Sequence, residues 1–412
     1  LIAFIFLSLG TGFVPPQARA VASPYLYKSK GLLFNDIALI RGPGLGRYVV
    51  RAIQRRVDRS ALSDPGARIL VIRLGAVGDC LRVCPAIKRL REARPAATVA
   101  WAVEDRVLSV LEGHPAIDRF HVLRRSELNA GVGRAWAEIK RFRRELRAGR
   151  YEVVIDFHGR LKSGLVAWMS GVPLRVGYSR KDGSECNYLF MNQRVSLCDS
   201  WENRVLRFLE LLSPLGINTA VERELLGLHL DPAALLRASA MYSQAGCPEL
   251  ALYPGCSSGR AGERWPLERW RQYLQRLDAA GIRSMLLWGP DEVELVEQLR
   301  GALGSSSCVA PSTTLPELVA LTGQFRAYVG SDTAALHMAW LQGVPAAVFT
   351  GPKPSATASP LALVDHRILR SEEHYVEGLA PSRQSPGVTR EVTVEQVVAA
   401  TRSLLAASSA SV

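Results

Sequence analysis

The feature that most constrains this chain lies near its C-terminal end. Within residues 326–352, a short apolar run, a glycine turn, a helical segment of small residues and a second apolar run follow one another. The spacing predicts a strand over 327–329, a tight turn at Gly330, a helix from Thr333 to about Gln342 and a strand over 346–349. Gly343 stops the helix, and Pro345 cannot extend it. Asp332 or Ser331 suits the N-cap, because a side-chain oxygen there accepts from a first-turn amide. Thr333, Ala334 and Ala335 would then place free N–H groups at the positive end of the helix, with nothing bulky in front of them. Such a strand, turn and helix start favours an anion, a phosphate or pyrophosphate. The same residues also read as an ordinary βαβ unit whose cap merely caps.

That alternation fills most of the chain. A length of 412 residues exceeds one typical core, so two domains are expected. Apolar runs at 68–74 (RILVIRL), 98–103, 120–123 and 151–157 (YEVVIDF) alternate with helical patterns at 80–93, 135–148, 161–170 and 201–215. After a helix around 231–247 and a breaker at Gly246-Cys247-Pro248 the pattern restarts. Strands are expected at 250–253 and 284–288, and helices at 267–280, 293–302 and 315–322. Continuous apolar strands separated by helices indicate parallel sheets covered on both faces. The expectation is an α/β protein of two doubly wound domains, residues 63–240 and 248–390, facing across a cleft. A terminal helix within 391–412 is expected to pack back on the first domain. Ligands in such sheets bind beyond the carboxyl ends of the strands.

Residues 1–62 form an N-terminal appendage. Its start, 1–14, is apolar and followed by Pro15-Pro16, like a signal-peptide core without a basic leader, and is short for a bilayer span. Residues 47–59 pattern as a basic amphipathic helix, read either as lying on an anionic membrane or as docked on the next domain. The net charge is +13, and with only seven lysines arginine supplies 44 of the 51 basic residues. This balance favours anionic partners: nucleotides, phosphorylated sugars or an acidic membrane face. The seven cysteines are odd in number, scattered and without a CxxC pair, which argues against a zinc site or a disulfide framework.

Polar residues that could do chemistry cluster where strands end. Gly75-Ala-Val-Gly78-Asp79 follows the first strand but is not GxGxxG, and an acid there would repel a pyrophosphate. Asp79 reads either as an N-cap or as a general base aimed into the cleft. His158, Arg160 and Lys162 follow the 151–157 strand on the same rim and together favour an anionic or hydroxyl-rich ligand. Ser257, Ser258, Arg260 and Arg264 open the second domain, where small residues let the backbone approach a phosphate and the arginines neutralise it. The alternative there is a flexible loop with stray arginines. Asp291 ends a strand and suits ribose hydroxyls, or caps the next helix. Thr313 could border a base. Thr314 with Glu317 reads as a capping box.

Taken together, these pieces resemble the glycosyltransferase family of the ADP-heptose:lipopolysaccharide heptosyltransferases. The likeness rests on segments 69–91, 151–167, 175–178, 253–270, 286–292 and 329–352, and spans roughly residues 66–405. It implies a GT-B fold and an inverting, metal-independent sugar transfer, with no cofactor beyond a nucleotide-sugar co-substrate, ADP-heptose being expected. Asp79 matches the acid that serves as general base. Asp332, Thr333 and Ala334 match the diphosphate-holding turn, and His337 the histidine one turn into that helix, where a core-packing role is the alternative. Two departures stand out: Glu263 occupies the usual lysine position two residues before Trp265-Pro266, and Ala334 replaces a frequent glycine.

The expectation is therefore a glycosyltransferase acting at the cytoplasmic face of a membrane, on a lipopolysaccharide-core or other lipid-linked acceptor, with no nucleic-acid partner. The alternatives are a different donor, a GT-B sugar epimerase, or a catalytically silent nucleotide-sugar binder. An NAD-dependent oxidoreductase fits less, because neither glycine turn carries the dinucleotide fingerprint.

Overall fold

A computed structural model of the chain describes residues 58–199, 203–256, 264–351, 363–376, 384–385 and 387–409. The 1–57 segment, Ser257, Ser258, Arg260 and Glu263 lie outside the described residues.

The first sheet holds β1 (Arg68–Ile72), β2 (Thr98–Glu104), β3 (Arg119–Leu123), β4 (Val153–Asp156), β5 (Leu174–Tyr178) and β6 (Gln193–Val195) in the order 3-2-1-4-5-6. The second holds β7 (Leu250–Tyr253), β8 (Ser284–Leu286), β9 (Ser307–Val309), β10 (Ala327–Ser331), β11 (Ala346–Phe349) and β12 (His366–Leu369) in the order 12-11-10-7-8-9. All the pairings are parallel. Each sheet thus has the Rossmann winding, with its switch point between β1 and β4 in one and between β7 and β10 in the other.

The helices that matter for the site are α1 (Val77–Leu81), α2 (Cys84–Ala93), α3 (Val132–Ala148), α4 (Leu161–Met169), α5 (Arg204–Glu210), α6 (Pro232–Gln244), α7 (Leu267–Ala279), α8 (Leu315–Thr322), α9 (Ala334–Trp340) and α10 (Val394–Ser409).

Strand side chains alternate between two apolar layers, as period two requires. In β1, Leu70 and Ile72 join the outer layer over the first sheet, while Ile69 and Val71 face inward. In β7, Leu250 and Leu252 face outward, while Ala251 and Tyr253 face inward. The two inward sets belong to one continuous cluster that also takes in Phe157, Leu336 and Trp340.

Four expectations need correcting. The helix drawn over 80–93 is two helices, α1 and α2, separated at Arg82-Val83. The helix expected from Thr333 starts at Ala334, with Thr333 rather than Asp332 or Ser331 as N-cap. The cause is that β10 runs on through Ser331 and the Asp332 N–H still pairs with Phe349 O of β11 at 3.2 Å. The terminal helix α10 does not return to the first domain: it packs on α7, β10, β11 and β12 of the second. There Val397 and Leu404 are buried with Leu252 and Phe349, and Thr401 Oγ1 lies 2.6 Å from Tyr273 Oη. Finally α6, placed mostly in the first domain by a boundary at 240, packs along α8 of the second.

Candidate active site

Asp79 sits in α1, directly beyond β1, and its carboxylate meets three guanidinium groups. Arg73 Nη2 contacts Oδ2, Arg82 Nη2 donates to Oδ1, and Arg204 Nη1 lies 3.3 Å from Oδ1. Burial disfavours the charged carboxylate, but Arg73, Arg82 and Arg204 outweigh it and hold the Asp79 carboxyl well below the usual range. Asp79 is therefore ionised and not a helix cap; the N-cap of α1 is Ala76.

α1 presses directly on α9 of the second domain. A Cβ on Gly78 would stand 2.7 Å from His337 Cδ2 and 3.0 Å from Ala334 Cα, so only glycine allows this approach. The Asp79 turn and the Asp332 turn thus meet across the domain boundary. Thr333 and Ala334 remain half-buried, and the first-turn amides of α9 have no intrahelical acceptor.

His337 is buried, and its two ring nitrogens are accounted for. Trp340 Nε1–H donates to Nδ1 at 3.0 Å, so the neutral ring carries its proton on Nε2, 3.3 Å from Asp332 Oδ1. Burial, reinforced by Arg82, lowers its pKa to about 4 against the opposing pull of Asp332 and Asp79. It holds the Asp332 carboxylate as a neutral donor.

On the first-domain rim, the loop after β4 is organised by Asp156, a buried residue. Its Oδ1 accepts from the His158 and Gly159 amides at 2.9 and 3.2 Å, and its Oδ2 from Ser163 Oγ at 2.8 Å and Asn187 Nδ2 at 2.7 Å. His158 Nδ1 accepts from the Leu74 amide at 3.3 Å, tying β4's loop to β1's. Burial, then Arg73, Arg160 and Lys162, hold His158 well below the usual imidazole range, so it is neutral. Arg160 is 62% exposed and lies 3.6 Å from Glu185. Lys162 does not reach into open space: its Nζ is on the buried Glu104 carboxylate, which Arg106 and Arg125 also approach.

On the second-domain rim, Asp291 is exposed, whereas its neighbour Glu292 is buried and accepts from Tyr253 Oη and the Gly289 amide, both at 3.0 Å. The carboxylate that the fold points toward the β7 switch point is therefore Glu292, one residue on from the expected position. Thr313 is half-buried, and Thr314 with Glu317 forms the capping box. Arg264 donates to Cys256 O at 3.4 Å, and Trp265 stacks on Phe349 at 5.0 Å. Residues not anticipated as site-forming are Arg73, Arg82, Arg204 and Glu292. Of these, Arg82 carried a sequence signal, lying one helical turn past Asp79.

The family model for glycosyltransferase family 9 (heptosyltransferase) matches residues 139–378, more than half of the chain. The chain belongs to glycosyltransferase family 9. This family 9 protein is 25% identical over 288 residues to lipopolysaccharide heptosyltransferase 1 of Pseudomonas aeruginosa, covering 69% of this chain and 79% of that one. It is 21% identical over 344 residues to the lipopolysaccharide core heptosyltransferase OpsX of Haemophilus influenzae, covering 80% and 94%. Its fold matches the crystal structure of a family 9 glycosyl transferase from Veillonella parvula, with TM-score 0.69, 21% identity and 84% and 99% coverage. It also matches E. coli heptosyltransferase WaaC with ADP, with TM-score 0.65, 21% identity and 82% and 99% coverage. The two facing sheets are the GT-B fold, and this family 9 chain is a glycosyltransferase.

Proposed function

We propose that this glycosyltransferase moves a heptose from ADP-heptose to a lipopolysaccharide-core or other lipid-linked acceptor, with inversion at the anomeric carbon and without a metal ion. Asp79 is the general base. An acceptor oxygen forms its bond to the anomeric carbon, its proton passes to an Asp79 carboxylate oxygen, and the bond to the diphosphate breaks with its electron pair going to ADP. The Asp332-Thr333-Ala334 turn takes the diphosphate, where preorganised amides offset the charge that develops on the leaving oxygen. Ser257, Ser258, Arg260, Arg264, Thr313 and the acid pair Asp291-Glu292 complete the donor side. Arg160 serves the acceptor from the first-domain rim, with His158 and Lys162 shaping that rim behind it.

The observation that carries this reading is the meeting of the Asp79 turn with the Asp332–His337 turn across the two switch points. The heptose and ADP assignments lean on the named relatives. Glu263, in place of the family's lysine, favours keeping a second donor in view, so ADP, UDP and GDP are compared by the rise in melting temperature that each produces. The membrane part of the reading is supported by α3, whose exposed side presents Arg134, Trp136, Lys140, Arg143 and Arg144. No described helix is long and apolar enough to cross a membrane.

The test is transfer of heptose from ADP-heptose to core acceptor by the wild type and by Asp79→Asn. A loss of about 10²–10⁴ in kcat for the variant is expected. Transfer undiminished in Asp79→Asn sinks the base assignment, and hydrolysis or epimerisation without transfer sinks the activity.

A further inference from the structure

The three arginines around Asp79 exceed what one carboxylate needs. The Arg73 and Arg82 side chains are only 6% and 9% exposed. Arg73, Arg82 and Arg204 face the Asp79 carboxylate, and Arg82 also feels the buried Asp332 carboxylate across the domain boundary. Three cations against two anions still leave positive charge out of water, which is costly unless a further anion shares it. Arg73 is fixed by other contacts: Nη1 donates to Phe157 O at 3.0 Å, and its guanidinium lies over Phe208. Arg82 and Arg204 are not. Among the described residues, neither side chain makes a hydrogen bond or ion pair except to Asp79. Arg82 Nε is buried without a partner, as is Arg73 Nε, but only Arg73 has its guanidinium tied down elsewhere.

Their positions point the same way. Arg82 closes α1, four residues past the glycine that touches Ala334 and His337. Arg204 begins α5, and its side chain is 41% exposed, so it can move. The groups around Asp79 are Arg73 beyond β1, Arg82 at the end of α1, Arg204 on α5, His158 beyond β4, and His337 with Asp332 at α9.

We infer that Arg82 and Arg204 serve two anions in turn, Asp79 and the donor's diphosphate, so that donor binding draws them off Asp79 and leaves that carboxylate free to take a proton. The inference rests on the reading of Asp79 as the base and of the Asp332 turn as the diphosphate site. A carboxylate gripped by three guanidinium groups is a weak proton acceptor, and losing two of them restores its basicity. The same handover gives the leaving diphosphate two charge-assisted donors from the first domain. It also orders the reaction: the base matures only when a donor is present, which keeps the acceptor hydroxyl protonated until there is something to attack.

The test uses the full chain and isothermal titration with two probes, inorganic pyrophosphate and ADP, with AMP as the control lacking a second phosphate. Arg204→Gln and Arg82→Gln are each expected to weaken pyrophosphate and ADP about tenfold, and AMP less. Arg82→Lys, which keeps the charge but not the guanidinium fork, is expected to recover part of the loss. The distinguishing result is Asp79→Asn: with the competing carboxylate neutralised, pyrophosphate and ADP should bind about tenfold tighter. A merely structural Asp79 would leave binding unchanged or weaken it, and that outcome overturns the inference, as does failure of pyrophosphate to bind the wild type. Tightening of pyrophosphate alone, with ADP not bound, sustains the inference and removes the ADP assignment. Tightening of both with transfer intact in Asp79→Asn sustains the shared clamp and removes the base.

Discussion

His337 shows how much one buried side chain can say about function. With Trp340 donating to Nδ1, the ring is locked as the Nε2–H tautomer and held neutral, with its pKa near 4. A histidine whose folded pKa lies below its ordinary value of about 6.5 binds protons more readily when unfolded. Stability is therefore lost as pH falls from about 6.5 toward 4, and no further loss comes from this group below that. Denaturant midpoints of wild type and His337→Gln between pH 7 and pH 4.5 should show the wild type falling more steeply. His114 and His121, lowered by burial to the same pKa, will keep a residual slope in the variant. Equal slopes would mean that His337 titrates normally. At this scale the sequence was informative about identity and poor about company. Asp79 and Asp332 stood out because they follow strands, and His337 because the family resemblance places a histidine one turn into the helix. Of the arginines around Asp79, Arg82 carried a signal in its helical spacing, but Arg204 carried none, because it comes from 125 residues away, on a helix with no motif. Asp291 was preferred to Glu292 because two adjacent acids after a strand look alike until the turn decides which one faces in.

At the scale of elements, the α1–α9 contact is the most sensitive point. A methyl on Gly78 would overlap His337 and the Ala334 backbone, so Gly78→Ala must push one helix back. Overpacking of this kind costs about 1–3 kcal/mol. Gly78→Ala is expected to lower the melting temperature by several degrees and cut transfer at least tenfold, through separation of the two turns, while Gly133→Ala, where an added methyl meets nothing, should change neither. Most central strands were legible, since β1, β4, β7 and β10 are largely apolar runs, whereas β5, equally buried, was not, because Arg175 and Gly177 interrupt it. The outer strands β6, β9 and β12 are short or polar, and gave no pattern. The amphipathic pattern of α10 announced a buried face, but periodicity carries no information on which sheet receives it; its contacts to Tyr273 and Arg326 decide that.

For the whole molecule, the strand order 3-2-1-4-5-6 occurs twice, and the contact of α1 with α9 brings the turns beside the two switch points together. The basic side of α3, where Lys140 lies 5.2 Å over the Trp136 ring, is the surface proposed above for anionic lipid. Reversing two charges with Arg143→Glu and Arg144→Glu should weaken sedimentation with phosphatidylglycerol vesicles by at least tenfold, at about 1 kcal/mol per basic residue near the surface. Binding to phosphatidylcholine vesicles should be weak throughout. Unchanged binding to the anionic vesicles would remove α3 from the membrane reading.

One apolar cluster runs through the inward sides of both sheets, from Ile69 to Trp340. A hinge that swung the halves apart would wet that hydrocarbon at about 25 cal/mol for each Å² exposed. A shear that moved α1 lengthwise along α9 would instead keep the oily seam dry. The bare backbone at Gly78 would then be the runner on which that glide takes place.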